Sequence, residues 1–302
     1  MKEELSRVEP TCSHCESACL AALIRIEGTL LFGGRGRYQL EINTDSPLVA
    51  RLVIKSLHGL YNLQTELTTR RSVLHKTPNW LIEVSNQPGL EHALRELGIL
   101  GDKGLERGIV PSIVRKRCCR AAYLRGLFLG SGFISDPRGD FHFEITVESK
   151  TLADDIVELL GESGINAKSM ERRNTHTVYL KSGSSISDFL ALVGAHQNAL
   201  KMENERVLKS VRNDVNRRVN AEIANQAKTA AASVEQVMAI RKVLDHQDIR
   251  TLPEGLQEYI RLRVRYPDAT LKELGDYADP PLSKSAIYHR VRRIQQMADN
   301  LS

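Results

Sequence analysis

The chain has 302 residues, 41% of them apolar and 26% charged, and a net charge of +5. This length supports one large domain or two ordinary ones around a real core, and the balance is ordinary for a soluble protein. No stretch approaches the roughly 20 apolar residues of a membrane helix, and the opening MKEELSRVEP lacks the apolar core of a signal peptide, so a cytoplasmic chain without a membrane partner is expected.

In chain order the first feature is a set of cysteines. Cys12, Cys15, Cys19, Cys118 and Cys119 are odd in number and clustered, which suits reduced thiols better than a secreted disulfide framework. Cys12-Ser13-His14-Cys15 has the spacing of half a zinc site, but no second Cys-x-x-Cys follows. The remaining ligands would have to come from Cys19 or from the Cys118-Cys119 pair. Buried free thiols at the starts of two paired helices explain the cluster as well, and no metal ion or other cofactor is expected.

Next comes a repeat. LAALIRIEG at Leu20 to Gly28 returns as LRGLFLGSG at Leu124 to Gly132, 104 positions later. The same shift lays Leu48 on Leu152, Leu52 on Ile156 and Tyr61 on Ile165; after a hairpin eight residues shorter, a shift of 96 lays Ile82 on Val178, Val84 on Leu180 and Gly98 on Gly194. Two registers joined by one loop-length change indicate a tandem duplication, with copies at about 12–100 and 116–195. Each copy reads as an apolar helix, two alternating strands, an amphipathic helix, two more strands and a closing helix. The opening helices are expected at about 17–28 and 120–130. Small residues recur four apart on both, at Ala18 and Ala22 and at Ala122, Gly126 and Gly130, so the two helices would pack closely about a pseudo-two-fold axis.

Residues 198–251 form a polar connecting arm rich in Asn and Arg, expected as a helix with one thin apolar stripe that passes through an Ala-rich segment into a second helix near Val234 to Leu244. From Leu252 the pattern changes to three short helices. Thr270-Leu271-Lys272-Glu273 is a capping box, Asp279-Pro280-Pro281 breaks the second helix, and Ser283 caps the third. The third helix keeps Ile287, Val291, Ile294 and Ala298 on one stripe, which leaves Ser285, Tyr288, His289, Arg292 and Arg293 facing away. Segment 284–293 holds four Lys or Arg and no acid. A buried stripe with donors on the free face is helix-turn-helix logic, suited to base edges and phosphates in a major groove. A small dimerisation module with a basic surface is the plainer alternative. Charge supports the first reading: residues 1–197 hold 24 Lys and Arg against 23 Asp and Glu, whereas 198–302 hold 18 against 14.

Helix, small-residue stripe, terminal acidic-Gly, hairpin and duplication together resemble the LAGLIDADG homing endonucleases. That resemblance implies a saddle whose two helices form the spine, whose sheets grip DNA, and whose helix ends each present an acidic residue to a divalent metal. Glu27 takes the acidic position in the first copy, but Ser131 stands in the second. One carboxylate and one hydroxyl make a poor magnesium cage, so both are degenerate positions and no catalytic residue is expected. Arg35, Arg37, Arg70, Arg71, Lys168, Arg172, Arg173 and Lys181 on the strands are either a secondary DNA face or the ordinary decoration of an exposed sheet.

The duplicated domain, the arm RNDVNRRVNAEIANQAKTA and the terminal ATLKELGDYADPPLSKSAIYHRVRRIQQMA are similar to the WhiA family of bacterial regulators, over nearly the whole chain. The expected fold is α+β: a pseudo-symmetric LAGLIDADG-like saddle over 1–197, the helical arm over 198–251 and an all-α helix-turn-helix domain over 252–302. The resemblance implies a sequence-specific transcriptional regulator in the bacterial nucleoid, acting in sporulation, cell division and chromosome segregation. Its partners would be double-stranded DNA and other regulatory proteins. Ser283, Lys284, Ser285, Tyr288, His289, Arg290, Arg292 and Arg293 are the expected DNA-binding residues, with Arg212, Arg217 and Arg218 of the arm adding secondary contact. The alternative is a residual metal-dependent endonuclease of LAGLIDADG type.

Overall fold

A computed structural model describes residues 1–34, 36–71 and 78–301, the side chains of Arg70 and Arg71 apart; Arg35 therefore lies outside the described residues. The chain forms two compact units, Met1–Lys209 and Ser210–Ser302.

The first unit opens with α1 (Lys2–Ser6), then runs through α2 (Ser13–Glu27), β1 (Gly28–Phe32), β2 (Tyr38–Thr44), α3 (Pro47–Tyr61), β3 (Glu66–Arg71), β4 (Pro78–Val84) and α4 (Leu90–Glu96). A short ribbon, β5 (Leu100–Gly101) and β6 (Gly104–Leu105), leads into the second copy. There α5 (Arg117–Ser131), β7 (Gly132–Ile134), β8 (Phe143–Val147), α6 (Lys150–Gly161), β9 (Lys168–Arg172), β10 (Thr175–Leu180) and α7 (Gly183–Val193) repeat the order. Both four-stranded sheets have one antiparallel topology, β1-β2-β4-β3 and β7-β8-β10-β9, so the duplicated architecture expected from the repeat is present.

The two central helices explain why both sequences are apolar all round. Leu20 through Ile24 are buried without interruption on α2, as are Ala122 through Leu129 on α5, because each helix has neighbours on every side. They pack on each other through the small residues. A Cβ on Gly126 would stand 2.4 Å from the Cys19 carbonyl oxygen and 2.8 Å from the Ala22 Cβ, so only glycine permits that approach.

The register of the repeat needs one correction. From β2 onward the offset is 103 and not 104: Leu40 and Ile42 answer to Phe143 and Ile145, and the caps Ser46 and Ser149 accept from the backbone N–H of Val49 and Leu152. The buried set Val49, Ala50, Val53 and Leu57 then falls on Leu152, Ala153, Ile156 and Leu160. The first hairpin is one residue shorter in the second copy. Side-by-side apolar residues such as Leu48-Val49 and Leu52-Val53 hide such a slip from pattern matching, whereas caps expose it.

Between Val193 and the second core there is one helix, α8 (His196–Leu244), where two helices were expected, because the Ala-rich segment has no Gly or Pro to interrupt it. Its stripe of Val207, Val211, Val215, Val219 and Ile223 is exposed. In the second unit, a 3-10 turn (Ile249–Thr251) is followed by α9 (Glu254–Arg265), α10 (Leu271–Asp276) and α11 (Lys284–Asp299). These close over a core of Ile240, Val243, Leu256, Tyr259, Ile260, Leu274, Ile287, Val291 and Ile294. The division between the compact units falls inside α8, within the segment expected as an arm. No helix among the described residues is long and apolar enough to cross a membrane.

Candidate nucleic-acid interface

The three terminal helices are built as their residues require. Thr270 Oγ1 accepts from the Glu273 N–H at 3.3 Å while the Glu273 carboxylate accepts from the Thr270 N–H at 2.7 Å, completing the capping box of α10. Gly275 lies where α10 meets the segment entering α11; a Cβ there would stand 2.2 Å from the Leu282 carbonyl oxygen. Ser283 caps α11 by accepting from the Ala286 N–H at 3.2 Å.

On α11 the stripe Ile287, Val291, Ile294 and Ala298 is buried. Lys284, Ser285, Tyr288, His289, Arg292 and Arg293 are exposed, and among the described residues none of the three cations is in an ion pair. The Tyr288 and His289 rings stand edge to face, with centroids 6.3 Å apart. Arg290 is placed differently. Its guanidinium is held at 2.7 Å by the Glu258 carboxylate, which also accepts from the Asp279 N–H at 3.2 Å, so it joins α11 to α9 and is removed from the free face.

A second arginine was not anticipated at all. Arg263 is 2% exposed, yet it has no carboxylate partner among the described residues. It donates to Gln236 Oε1 at 3.0 Å and to the carbonyl oxygens of Ala269 and Pro267 at 2.7 and 3.1 Å, and Tyr259 donates to the same Gln236 oxygen at 2.9 Å. This ties α9 and the segment after it to α8. A sequence signal existed: Arg263 completes the i, i+3, i+4, i+7 stripe begun by Leu256, Tyr259 and Ile260.

The arm and sheet candidates divide. Arg212, Arg217 and Arg218 are exposed on α8, with Arg217 paired to Asp214. Arg172 and Arg173 are exposed at the β9–β10 hairpin tip, where Arg173 and Asn174 both adopt positive φ (51° and 64°), as a two-residue type I′ turn requires. Arg37 is exposed beside β2; the side chains of Arg70 and Arg71 lie outside the described residues. Strand register shows a contrast that the linear sequence hides. On the outer face of the first sheet Glu41, Glu83 and Glu66 lie directly opposite one another on adjacent strands. The matching row of the second sheet is Glu144, Tyr179 and Lys168, with Lys181 over the Tyr179 ring at 5.4 Å. One sheet therefore turns carboxylates outward and the other a mixed, more basic surface.

At the helix ends, Glu27 Oε1 accepts from the Thr44 hydroxyl at 3.0 Å. Glu27 Oε2 and Ser131 Oγ are buried without a hydrogen-bond partner among the described residues. Burial pushes the Glu27 carboxyl up to about 7, against the pull of the Thr44 hydroxyl and Lys2. At the opposite ends of the same two helices the cysteines gather. Of the two sources left open for completing a Cys12/Cys15 site, the fold supplies Cys118 and Cys119; the sulfurs of these four lie within 4.8 Å of one another, and Cys19 is not among them.

Comparison with known proteins gives matches along the chain. The WhiA N-terminal LAGLIDADG-like domain matches residues 13–100, the WhiA LAGLIDADG-like domain residues 120–212 and the WhiA C-terminal HTH domain residues 215–298. The chain is 41% identical over 303 residues to the probable cell division protein WhiA of Desulforamulus reducens, covering 99% of this chain and 94% of that protein. With its namesake from Alkaliphilus metalliredigens the identity is 40%, covering 99% and 96%. Among solved structures, full-length WhiA from Thermatoga maritima matches with a TM-score of 0.59 and 25% identity, over 99% of this chain and 96% of that one.

Proposed function

The chain belongs to the WhiA family, and on that footing we propose that it is a sequence-specific DNA-binding transcriptional regulator acting in cell division. The reading extends to chromosome segregation, to sporulation where that occurs, and to a place on the bacterial nucleoid. The two-faced α11 carries it: a fully buried apolar stripe holds the helix down, and Lys284, Ser285, Tyr288, His289, Arg292 and Arg293 face outward without a competing acid on that helix segment.

In this reading Ser285, Tyr288 and His289 meet base edges in a major groove, and Lys284, Arg292 and Arg293 meet phosphates. The Ser283 hydroxyl is engaged as a cap, so its part is to aim the helix. Arg290 does the same through Glu258. Arg172, Arg173 and Lys168 on the second sheet, with Arg212, Arg217 and Arg218 on α8, add contact without sequence preference. The acidic row of the first sheet suits another regulatory protein better than a phosphate backbone.

The same reading carries no nuclease activity. A metal-dependent cut needs hard, charged oxygen ligands, and here one helix ends in a carboxyl that burial pushes up to about 7 while the other ends in a serine. The test has two arms. Chromatin immunoprecipitation supplies the operator, and anisotropy titration compares wild type with Ser285→Ala/Tyr288→Ala; unchanged preference for the operator over random DNA would mean that α11 is not the reader. Supercoiled plasmid is then incubated with the protein and magnesium or manganese. Nicking by wild type that Glu27→Gln abolishes would restore the endonuclease reading.

A further inference from the structure

We propose that Cys12, Cys15, Cys118 and Cys119 form a tetrathiolate site for a single zinc ion that clamps together the N-terminal ends of the two central helices. Cys12 stands at the position before α2 and Cys15 follows in its first turn, while Cys118 and Cys119 lie in the first turn of α5. No local motif announces this set. The Cys-x-x-Cys half comes from the entry to the first copy and the adjacent pair from the entry to the second, and only the duplication's pseudo-two-fold axis brings them together.

The geometry carries the assignment. Four sulfurs about 2.3 Å from a central ion in tetrahedral arrangement are separated by roughly 3.8 Å. Cys12 Sγ lies 3.3 Å from Cys15 Sγ and 3.8 Å from both Cys118 Sγ and Cys119 Sγ, and no two of the four sulfurs are more than 4.8 Å apart. A four-iron cluster, which sits among its cysteines as a body and not as a point, needs them further apart. A tetrahedral set of four thiolates in a reducing cell selects zinc. Cys15 and Cys119 are 1% and 2% exposed, and Cys12 and Cys118 are half-buried at the mouth, which closes the site on the core side and leaves an entry for the ion.

The site is structural and not catalytic. Four protein ligands leave no open position, and Glu27 and Ser131 stand at the other ends of these 15-residue helices, about 20 Å away at 1.5 Å per residue. What the ion does is join the two halves of the duplication at a point where their small-residue interface begins.

Full-length protein, purified under reducing conditions without chelator or nickel resin, is analysed by inductively coupled plasma mass spectrometry and by native mass spectrometry. One zinc per chain is expected. Cys12→Ser/Cys15→Ser should fall below about one-tenth of that, and Cys19→Ala, outside the quartet, should keep it. If the double variant does not fold, the wild type still decides: a strong zinc chelator should lower its apparent Tm by about 5–10 °C. Zinc sulfate should restore that Tm, and magnesium chloride should not. Iron in place of zinc, a metal-free chain with four thiols freely reactive to a disulfide reagent, or an intact mass showing disulfides in freshly purified protein would each overturn the proposal.

Discussion

The Arg290 guanidinium meets the Glu258 carboxylate at 2.7 Å, and the other oxygen of that carboxylate receives the Asp279 N–H. Three points are thereby fixed at once: α9, the start of the proline turn, and the middle of α11. Both side chains are partly shielded, which lifts the pair above the small value of an exposed surface bridge.

Glu258→Gln should therefore destabilise the second unit by about 1–2 kcal/mol, since it leaves a half-shielded guanidinium without its counter-charge. Thermal denaturation of the full chain reads the loss. Arg290→Gln, measured beside it, should keep the salt dependence of binding to random DNA, since the proposed reading leaves Arg290 out of the phosphate contacts; a shallower dependence would place it among them.

Arg292→Ala and Arg293→Ala should act in the opposite way. On the proposed reading each removes about one phosphate contact, so each should reduce the slope of log K against log salt by about 0.9 and weaken operator and random DNA alike. Stability should move by less than about 0.5 kcal/mol, as both side chains are exposed. Anisotropy titrations at several salt concentrations separate this pattern from that of Glu258→Gln.

Arg263→Met should cost about 3 kcal/mol. The substitution keeps the volume but strips Gln236 and the carbonyls of Pro267 and Ala269 of a buried donor. Arg263→Lys should not rescue it, because one ammonium cannot span the positions that the planar fork reaches. Denaturant midpoints of the three proteins decide this, and equal midpoints for Lys and Arg would refute the fork argument.

Glu27 gives the protein a pH dependence of defined sign. Its carboxyl titrates near 7 in the fold against an ordinary 4.5, so the folded state binds the proton more tightly than the unfolded one. Stability is full below about 4.5, declines as pH rises, and carries the whole penalty above about 7. Glu27→Gln, which does not titrate, should be more stable than wild type by about 1–3 kcal/mol at pH 8, with the difference vanishing near pH 4. A difference that grows toward low pH would reverse the assignment.

Periodicity made most of the fold legible. The helix and strand order of both copies, the capping box at Thr270, the Ser283 cap and the α11 stripe were readable because each depends on residues within a turn or two of one another. What escaped depends on distant chain. The slip of one residue through α3 and α6 was hidden by adjacent apolar pairs. Arg263 lies on the buried stripe of its helix, but its acceptors, the Gln236 amide and two backbone carbonyls, gave no sequence mark that it would be held there. The cysteine quartet required knowing that two helix starts 104 positions apart converge, and the Glu41-Glu83-Glu66 row required strand register. The short α1 and the β5–β6 ribbon left no periodic trace in so few residues.

That carboxylate row bears on how the duplicated unit can meet a duplex. Two copies related by a pseudo-two-fold axis would ordinarily be matched to a palindrome, each arm engaging one half-site alike. Here the outer faces of the two sheets differ in charge: Glu66, Glu83 and Glu41 on one become Lys168, Tyr179 and Glu144 on the other. On the proposed reading a polyanion would be drawn to the second sheet more than to the first. The doubled scaffold has thus acquired a polarity, a front and a back, that its own symmetry would deny it.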